Sequence, residues 1–344
     1  MKTQVLSAIT QKENGVRSAA RIIESGGLVA FPTETVYGLG ANGLDGQAVA
    51  RIFEAKGRPM DNPLILHIAK NSDVKRLWSR VPPEAHQLMD AFWPGPLTLV
   101  FIKNDCVPQE VTADLDTVGV RMPANKTALA LIRAAQRPIA APSANLSGRP
   151  SPTCAAHVLE DMDGRIDLIL DGGPCAVGVE STVLSLVGQP AILRPGGVTR
   201  EMLEAVIGPV DIAKAVLQPL GEREAAASPG MKYRHYAPEA EVIIAQGGPR
   251  QAAAKICRAY DEAITSNIRP VIFATIQTHS FYRDRNYVII GDRNAPETLC
   301  ANLFGALRDH SAGADIILTE ALPEDAMGLA YMNRLLRASG FHTI

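Results

Sequence analysis

The chain has 344 residues, 47% of them hydrophobic and 20% charged, with a formal charge of −2 and five cysteines. That length leaves room for two domains of about 150 residues each, and the composition is that of a chain able to bury sizeable cores. The near-neutral balance excludes a uniformly basic nucleic-acid binder and leaves only a local basic groove open. Cys106, Cys154, Cys175, Cys257 and Cys300 are scattered, odd in number and form no C-x-x-C, so neither a disulfide framework nor a structural zinc is expected and a reducing cytoplasm fits best. The opening Met1-Lys-Thr-Gln-Val-Leu-Ser-Ala-Ile-Thr10 has no apolar run suited to a signal peptide. No stretch reaches the roughly 18 apolar residues of a membrane span, so no membrane partner is expected.

Taken in order, Gly15 to Ser25 shows a helical apolar face at Val16, Ala19, Ala20, Ile22 and Ile23, ended by Gly26-Gly27. Leu28–Phe31 reads as a buried strand stopped by Pro32. Asp45 N-caps a helix carrying Ala48, Val49, Ile52 and Phe53 inward and ending near Gly57. Strands are predicted at Leu64–Ala69, Leu97–Ile102, Thr117–Arg121, Ile139–Ala141, Leu168–Leu170, Thr182–Val187 and Ala191–Leu193. Helices are predicted at Pro83–Phe92, Lys126–Ala135, Pro152–Met162 and Thr199–Ile207. Because several strands follow one another directly, the expected fold is an α/β protein with a mixed sheet rather than a purely parallel one.

From Pro209 to Pro238 the periodicity weakens and Gly, Pro and Ala accumulate, which reads as an interdomain linker. A compact α/β pattern of about 100 residues then restarts. It has strands at Val242–Ala245, Val271–Thr275, Tyr287–Ile290 and Asp315–Thr319, and helices at Arg250–Ala263, Pro296–His310 and Met327–Ala338. The expected domains are therefore 1–208, a linker or lid over 209–238, and 239–344.

Gly38-Leu-Gly40-Ala-Asn-Gly43 matches G-x-G-x-x-G by letter, but Thr33–Tyr37 separates it from the preceding strand. A dinucleotide fingerprint needs the strand to run into the first glycine, so this is read as a plain Gly-rich turn. No G-x-x-x-x-G-K-[ST], H-E-x-x-H or G-x-S-x-G occurs, and the seven histidines lack ligand spacing.

Polar residues do gather at strand and helix ends, where α/β proteins place ligands. Thr33, Glu34, Thr35 and Tyr37 follow the first strand as a loop able to surround an amino-acid head group. Lys56 and Arg58 close a helix, where favourable charge on the dipole would account for one cation. The rigid run Pro59, Asp61, Asn62 and Pro63 points instead to a polar loop, and Lys plus Arg supply non-titrating donors for phosphate. His67 lies inside an apolar run and is read first as a core histidine. Ser143 and Asn145 follow another strand with short neutral donors, and Arg121, Ser181 and Arg194 close or flank strands, as a common cleft would require.

Several ordered motifs together carry a resemblance. They are Phe31-Pro-Thr-Glu-Thr-Val-Tyr-Gly-Leu-Gly40, Lys56-Gly-Arg-Pro59 with Asn62-Pro-Leu64, Trp93-Pro-Gly-Pro-Leu-Thr98 and Val120-Arg-Met-Pro123. Ala141-Pro-Ser-Ala-Asn145, Glu180-Ser-Thr182 and Leu193-Arg-Pro-Gly196 complete the set. The chain from about 15 to 205 closely resembles the YrdC-type threonylcarbamoyl-AMP synthases. Gly230-Met-Lys-Tyr-Arg-His-Tyr-Ala-Pro238, Met332-Asn-Arg334 and Ala338-Ser-Gly340 resemble that family's longer, two-domain branch.

The resemblance implies a twisted, open α/β sheet with a concave active site, followed by a smaller Rossmann-like domain. It implies that L-threonine, bicarbonate and ATP, with Mg²⁺ carried on the phosphates, give threonylcarbamoyl-AMP and pyrophosphate. Partner proteins would then modify tRNAs that read codons beginning with A. It places Thr35, His67, Arg121, Ala141 and Ser181 at threonine. Lys56, Arg58, Asn62, Thr117, Ser143, Asn145, Ser151 and Arg194 fall at ATP, with Tyr236 folding over the nucleotide. Lys56 and Arg58 would neutralise the charge that develops during transfer, and the linker would exclude water from a labile product. Two other readings stay open: O-carbamoyl transfer through a carbamoyl-adenylate, and a module that binds double-stranded RNA through its cleft cations.

Overall fold

In the computed structural model, residues 2–10, 12–218 and 236–344 are described. The chain divides into two compact units, Met1–Ser147 with Ser151–Tyr233, and Gly148–Pro150 with Arg234–Ile344. The central part of the expected linker lies outside the described residues. Its first residues add structure to the first unit, as the short strand Asp211–Ile212 and the helical turn Lys214–Leu217.

The first unit is built on eleven strands: β1 Gln4–Ser7, β2 Val29–Phe31, β3 Gly38–Asn42, β4 Ile65–His67, β5 Leu97–Ile102, β6 Thr117–Arg121, β7 Ile139–Ala140, β8 Leu168–Asp171, β9 Thr182–Ser185, β10 Ala191–Arg194 and β11 Asp211–Ile212. They form one sheet in the order β1-β8-β2-β3-β7-β4-β6-β5-β9-β10-β11. Pairing is parallel at β4–β6 and β5–β9 and antiparallel at β2–β3, β3–β7 and β5–β6, so the sheet is mixed, as the directly consecutive strands required.

The two-residue period of the strands sends alternate side chains to opposite faces, and both faces are buried. Ala30, Leu39, Leu66 and Ala140 pack on one side with Val49 and Ile52 of the Gly46–Lys56 helix. Val29, Phe31, Ile139 and Ala141 pack on the other with Ala19, Ile23, Leu131 and Ile132, from the helices Lys12–Glu24 and Lys126–Ala135. Asp45 caps the Gly46–Lys56 helix by accepting from the backbone N–H groups of Gln47 and Ala48. Gly57, at φ 60°, ends it in the left-handed region where a residue with a Cβ is strained.

One expectation is corrected. Gly38–Asn42 is not a turn: it is β3, interior to the sheet between β2 and β7. The glycines are there for close packing, because a Cβ on Gly40 would lie 2.8 Å from both Ile139 Cγ2 and Phe31 Cε1. Periodicity could not find this strand because glycine carries no side chain to alternate.

The second unit is a four-stranded parallel sheet, β12 Glu241–Ala245, β13 Pro270–Thr275, β14 Tyr287–Gly291 and β15 Ile316–Glu320, in the order β12-β15-β13-β14. Helices Pro249–Thr265, Pro296–Ser311 and Ala326–Ala338 accompany it, giving the Rossmann-like α/β pattern expected. No helix among the described residues is long and apolar enough to cross a membrane.

Candidate active site

The polar residues singled out at strand ends meet in hydrogen-bonded groups within the first unit. The first group forms where β2, β4 and β6 end. Register pairs His67 of β4 with Arg121 of β6. Arg121 is 3% exposed, and all three guanidinium nitrogens are engaged. Nη1 donates to Thr35 Oγ1 at 3.0 Å, Nη2 to Glu34 Oε1 at 2.6 Å, and Nε to the Gly95 carbonyl at 3.2 Å. Glu34 Oε2 also accepts from the Ala124 N–H at 3.0 Å. Thr33 and Thr35 share a hydroxyl–hydroxyl bond of 2.8 Å, and the Thr33 hydroxyl ties back to the Val36 carbonyl. The result is a cation fixed by the loop that carries Thr35.

His67 is a core residue held beside Arg121. Phe31 meets its ring edge-on at 6.0 Å, and Nδ1 lies 3.2 Å from the Ile65 carbonyl. Burial, together with the positive charge of Arg121, pushes its pKa down to about 3. It is a neutral imidazole at physiological pH. Ala141 lies beside it, its N–H bonded to the Ile65 carbonyl at 3.0 Å.

A second group joins β5, β9 and β10. Ser181 is fully buried, its hydroxyl 2.8 Å from Thr98 Oγ1. Arg194 reaches it twice, through Nη2 to Ser181 Oγ at 3.2 Å and Nε to Ser181 O at 3.1 Å. Ser181 follows Glu180, whose carboxylate accepts from Ser151 Oγ at 2.5 Å. The N–H groups of Val177 and Gly178 bond to the Glu34 and Thr35 carbonyls, tying this segment to the first group.

The third group surrounds Lys56. Its ammonium is buried and does not rest on its own helix terminus: Nζ donates to the carbonyls of Ser143 and Asn145 at 2.5 and 2.6 Å. The strand-end loop expected to offer Ser and Asn side chains is thereby clamped to the helix expected to offer Lys. Arg58 follows the Gly57 turn with its guanidinium 6.0 Å from the Phe53 ring centre. Asn62 is fully buried, yet neither its carbonyl oxygen nor its amide nitrogen has a hydrogen-bond partner among the described residues. A buried amide left unmet costs about 1–3 kcal/mol, which a ligand can recover.

One expected residue of the first unit stands apart from these groups. Thr117 opens β6 on the Arg121 face but four residues away, roughly 13 Å along a strand. Tyr236 belongs to the second unit, where its ring packs 5.1 Å from that of Phe304 and under the Arg334 guanidinium. Glu34 was expected only as part of a loop around a head group, not as the partner of Arg121, and Thr98 and Glu180 were not singled out individually. The signal for both was available, since they sit inside the motifs Trp93–Thr98 and Glu180–Thr182.

Among the described residues no group of three or more His, Cys, Asp or Glu is placed to hold a metal ion. The donors are cations, hydroxyls and amides, a set made to receive an anionic ligand.

Comparisons with known proteins point to one family. Residues 21–196 match the family described as telomere recombination, and residues 198–340 match the threonylcarbamoyl-AMP synthase C-terminal domain. A threonylcarbamoyl-AMP synthase of Pyrococcus abyssi is 51% identical over 332 residues, 96% of this chain and 95% of that protein. Its counterpart in Bacillus subtilis is 46% identical over 343 residues, 99% and 97% of the two chains. The crystal structure of P. abyssi Sua5 complexed with L-threonine superposes with a TM-score of 0.93 at 47% identity, covering 100% of this chain and 99% of that one. Escherichia coli YciO, at 24% identity and a TM-score of 0.51, shares the fold over 57% of this chain and 95% of its own.

Proposed function

The chain belongs to the threonylcarbamoyl-AMP synthase family, and on that premise we propose how its residues make threonylcarbamoyl-AMP from L-threonine, bicarbonate and ATP. The amine of threonine combines with bicarbonate to give an N-carboxylate and water. One oxygen of that carboxylate attacks the α-phosphorus of ATP in line, forming a mixed carbamic–phosphoric bond while pyrophosphate leaves with the electrons of the broken P–O bond. No protein nucleophile is needed, so positioning and neutralisation of charge dominate.

Arg121 holds the threonine carboxylate through the outer edge of a guanidinium that Glu34 and Thr35 keep in place. His67, Ala141 and Ser181 shape the rest of that subsite, and His67 contributes a neutral wall rather than a second charge. Arg58 and Arg194 face the phosphates. Lys56 adds charge while holding the Ser143–Asn145 loop against the nucleotide. Asn62 and Thr117 supply neutral donors, and Ser151, whose hydroxyl donates to Glu180, offers its oxygen as an acceptor. These residues fit an Mg²⁺ that enters on the triphosphate rather than one held in a protein cage; when bound it would neutralise phosphate charge. The product is an activated acyl group for a transferase that modifies tRNA adenosine, in a cytoplasmic setting that suits five free cysteines.

The observation that carries this reading is the fully buried, unmet amide of Asn62 in the loop that follows Lys56 and Arg58. The test is incorporation of labelled bicarbonate into an adenylate. Label captured only with both ATP and threonine supports the reading. An unlabelled adenylate formed from carbamoyl phosphate without threonine would replace it with O-carbamoyl transfer, and binding of duplex RNA without incorporation would replace it with a binding module.

A further inference from the structure

A cavity of about 590 Å³ opens in the first unit outside the site described above. It begins two residues beyond His67, at Ala69, where the chain leaves β4. Four cations line it, Lys70, Arg76, Arg133 and Arg137, against a single carboxylate, Asp73. They come from separate pieces of backbone. Lys70 follows β4, Arg76 sits in the Val74–Leu77 helical turn, Arg133 in the last turn of the Lys126–Ala135 helix, and Arg137 in the approach to β7. Ile132, 3% exposed, anchors that last helical turn in the core and so fixes Arg133 at the rim.

Charge at a helix C-terminus explains Arg133 and no more than one neighbour. Four arginines elsewhere in the chain are paired with carboxylates: Arg17 with Glu13, Arg200 with Glu204, Arg269 with Asp315 and Arg285 with Asp261. None of the four cavity cations makes an ion pair among the described residues. In a chain whose formal charge is −2, gathering them around one hollow runs against mutual repulsion, which a bound polyanion would relieve.

We infer that this cavity binds the phosphoryl groups of a small polyphosphate, a pyrophosphate or a nucleotide tail, at a site separate from the candidate active site. Its volume is in the range of small-ligand sites. Four long donors around one hollow can each meet a different phosphoryl oxygen, with Gln136 adding a neutral donor. No aromatic side chain lines it on which a base could stack, so recognition is of charge rather than of base identity.

The test is calorimetric titration of the full chain with sodium pyrophosphate. Two equivalents are expected for the unaltered protein. Arg133→Glu with Arg137→Glu should abolish one, each lost charge-assisted contact weakening it about tenfold, and should leave threonine-dependent pyrophosphate release from ATP intact. Arg58→Ala should weaken the other equivalent and spare this one. Should circular dichroism show the double reversal to be unfolded, Lys70→Gln with Arg76→Gln takes its place. A single equivalent that Arg58→Ala removes and neither double variant touches would overturn the proposal. Loss of duplex-RNA binding in the charge-reversed protein, with pyrophosphate stoichiometry unchanged, would overturn it in favour of an RNA-docking surface.

Discussion

Glu34 Oε1 sits 2.6 Å from Arg121 Nη2, and the two side chains are almost wholly shielded from water, at 13% and 4% exposure. The guanidinium is thus paired before any substrate arrives, and Glu34 acts as a positioning residue for it. Truncating one member of a buried pair leaves the other uncompensated, which costs about 3–5 kcal/mol in fully buried cases. Glu34→Ala is expected to lower stability by about 3 kcal/mol, read as a shift of the urea midpoint. It should also raise the threonine KM at least about tenfold, the cost of losing one charge-assisted orientation. An unchanged midpoint would show that Arg121 needs no internal partner.

Asn62 offers a separation of stability from function. Its amide is buried without partners among the described residues, so replacing it by an apolar group of similar shape removes a desolvation cost. Asn62→Leu is expected to raise the thermal midpoint of the free protein, by about 1 kcal/mol in stability. ATP binding should weaken about tenfold or more. Greater stability together with weaker ATP binding is the signature; a less stable protein would mean that the amide is already satisfied.

Much of this architecture was readable because the chemistry is local. The Asp45 cap and Gly57 stop are decided within a few residues, and the helices Pro83–Phe92 and Lys126–Ala135 follow their apolar stripes to the residue. The strand β3 was not readable: its reason for being glycine is Phe31 and Ile139 overhead, a fact of tertiary packing. The site divides in the same way. Motifs singled out candidate residues, but not that the Lys56 ammonium would be taken by the carbonyls of Ser143 and Asn145, residues almost ninety positions away. Nor could they tell that His67, read first as core, would be set by strand register beside Arg121.

The packing over β3 gives its own test. A methyl on Gly40 would stand 2.8 Å from Phe31 and Ile139, closer than any real contact, so Phe31 must move. Gly40→Ala is expected to cost about 1–3 kcal/mol, as overpacking does. Because Phe31 holds the His67 ring edge-on, the threonine KM should rise while ATP binding is spared. Equal losses in both would place the damage in the sheet as a whole rather than at the Phe31–His67 contact.

His67 sets a pH dependence whose sign follows from its burial. Its folded pKa is about 3 against an ordinary value of 6.5, so the unfolded chain takes up the proton first as pH falls. The contribution of the neutral folded form is complete above 6.5 and is lost progressively from there down toward 3. The slope from this one group is at most about 1.4 kcal/mol per pH unit. Urea midpoints measured between pH 7 and pH 4 should fall for the unaltered protein and fall less steeply for His67→Asn, which cannot titrate. Since His67 stays neutral throughout the neutral range, its replacement should leave any activity transition between about pH 6 and 8 where it was. A transition that moves with His67→Asn would mean that the imidazole is protonated in the folded enzyme.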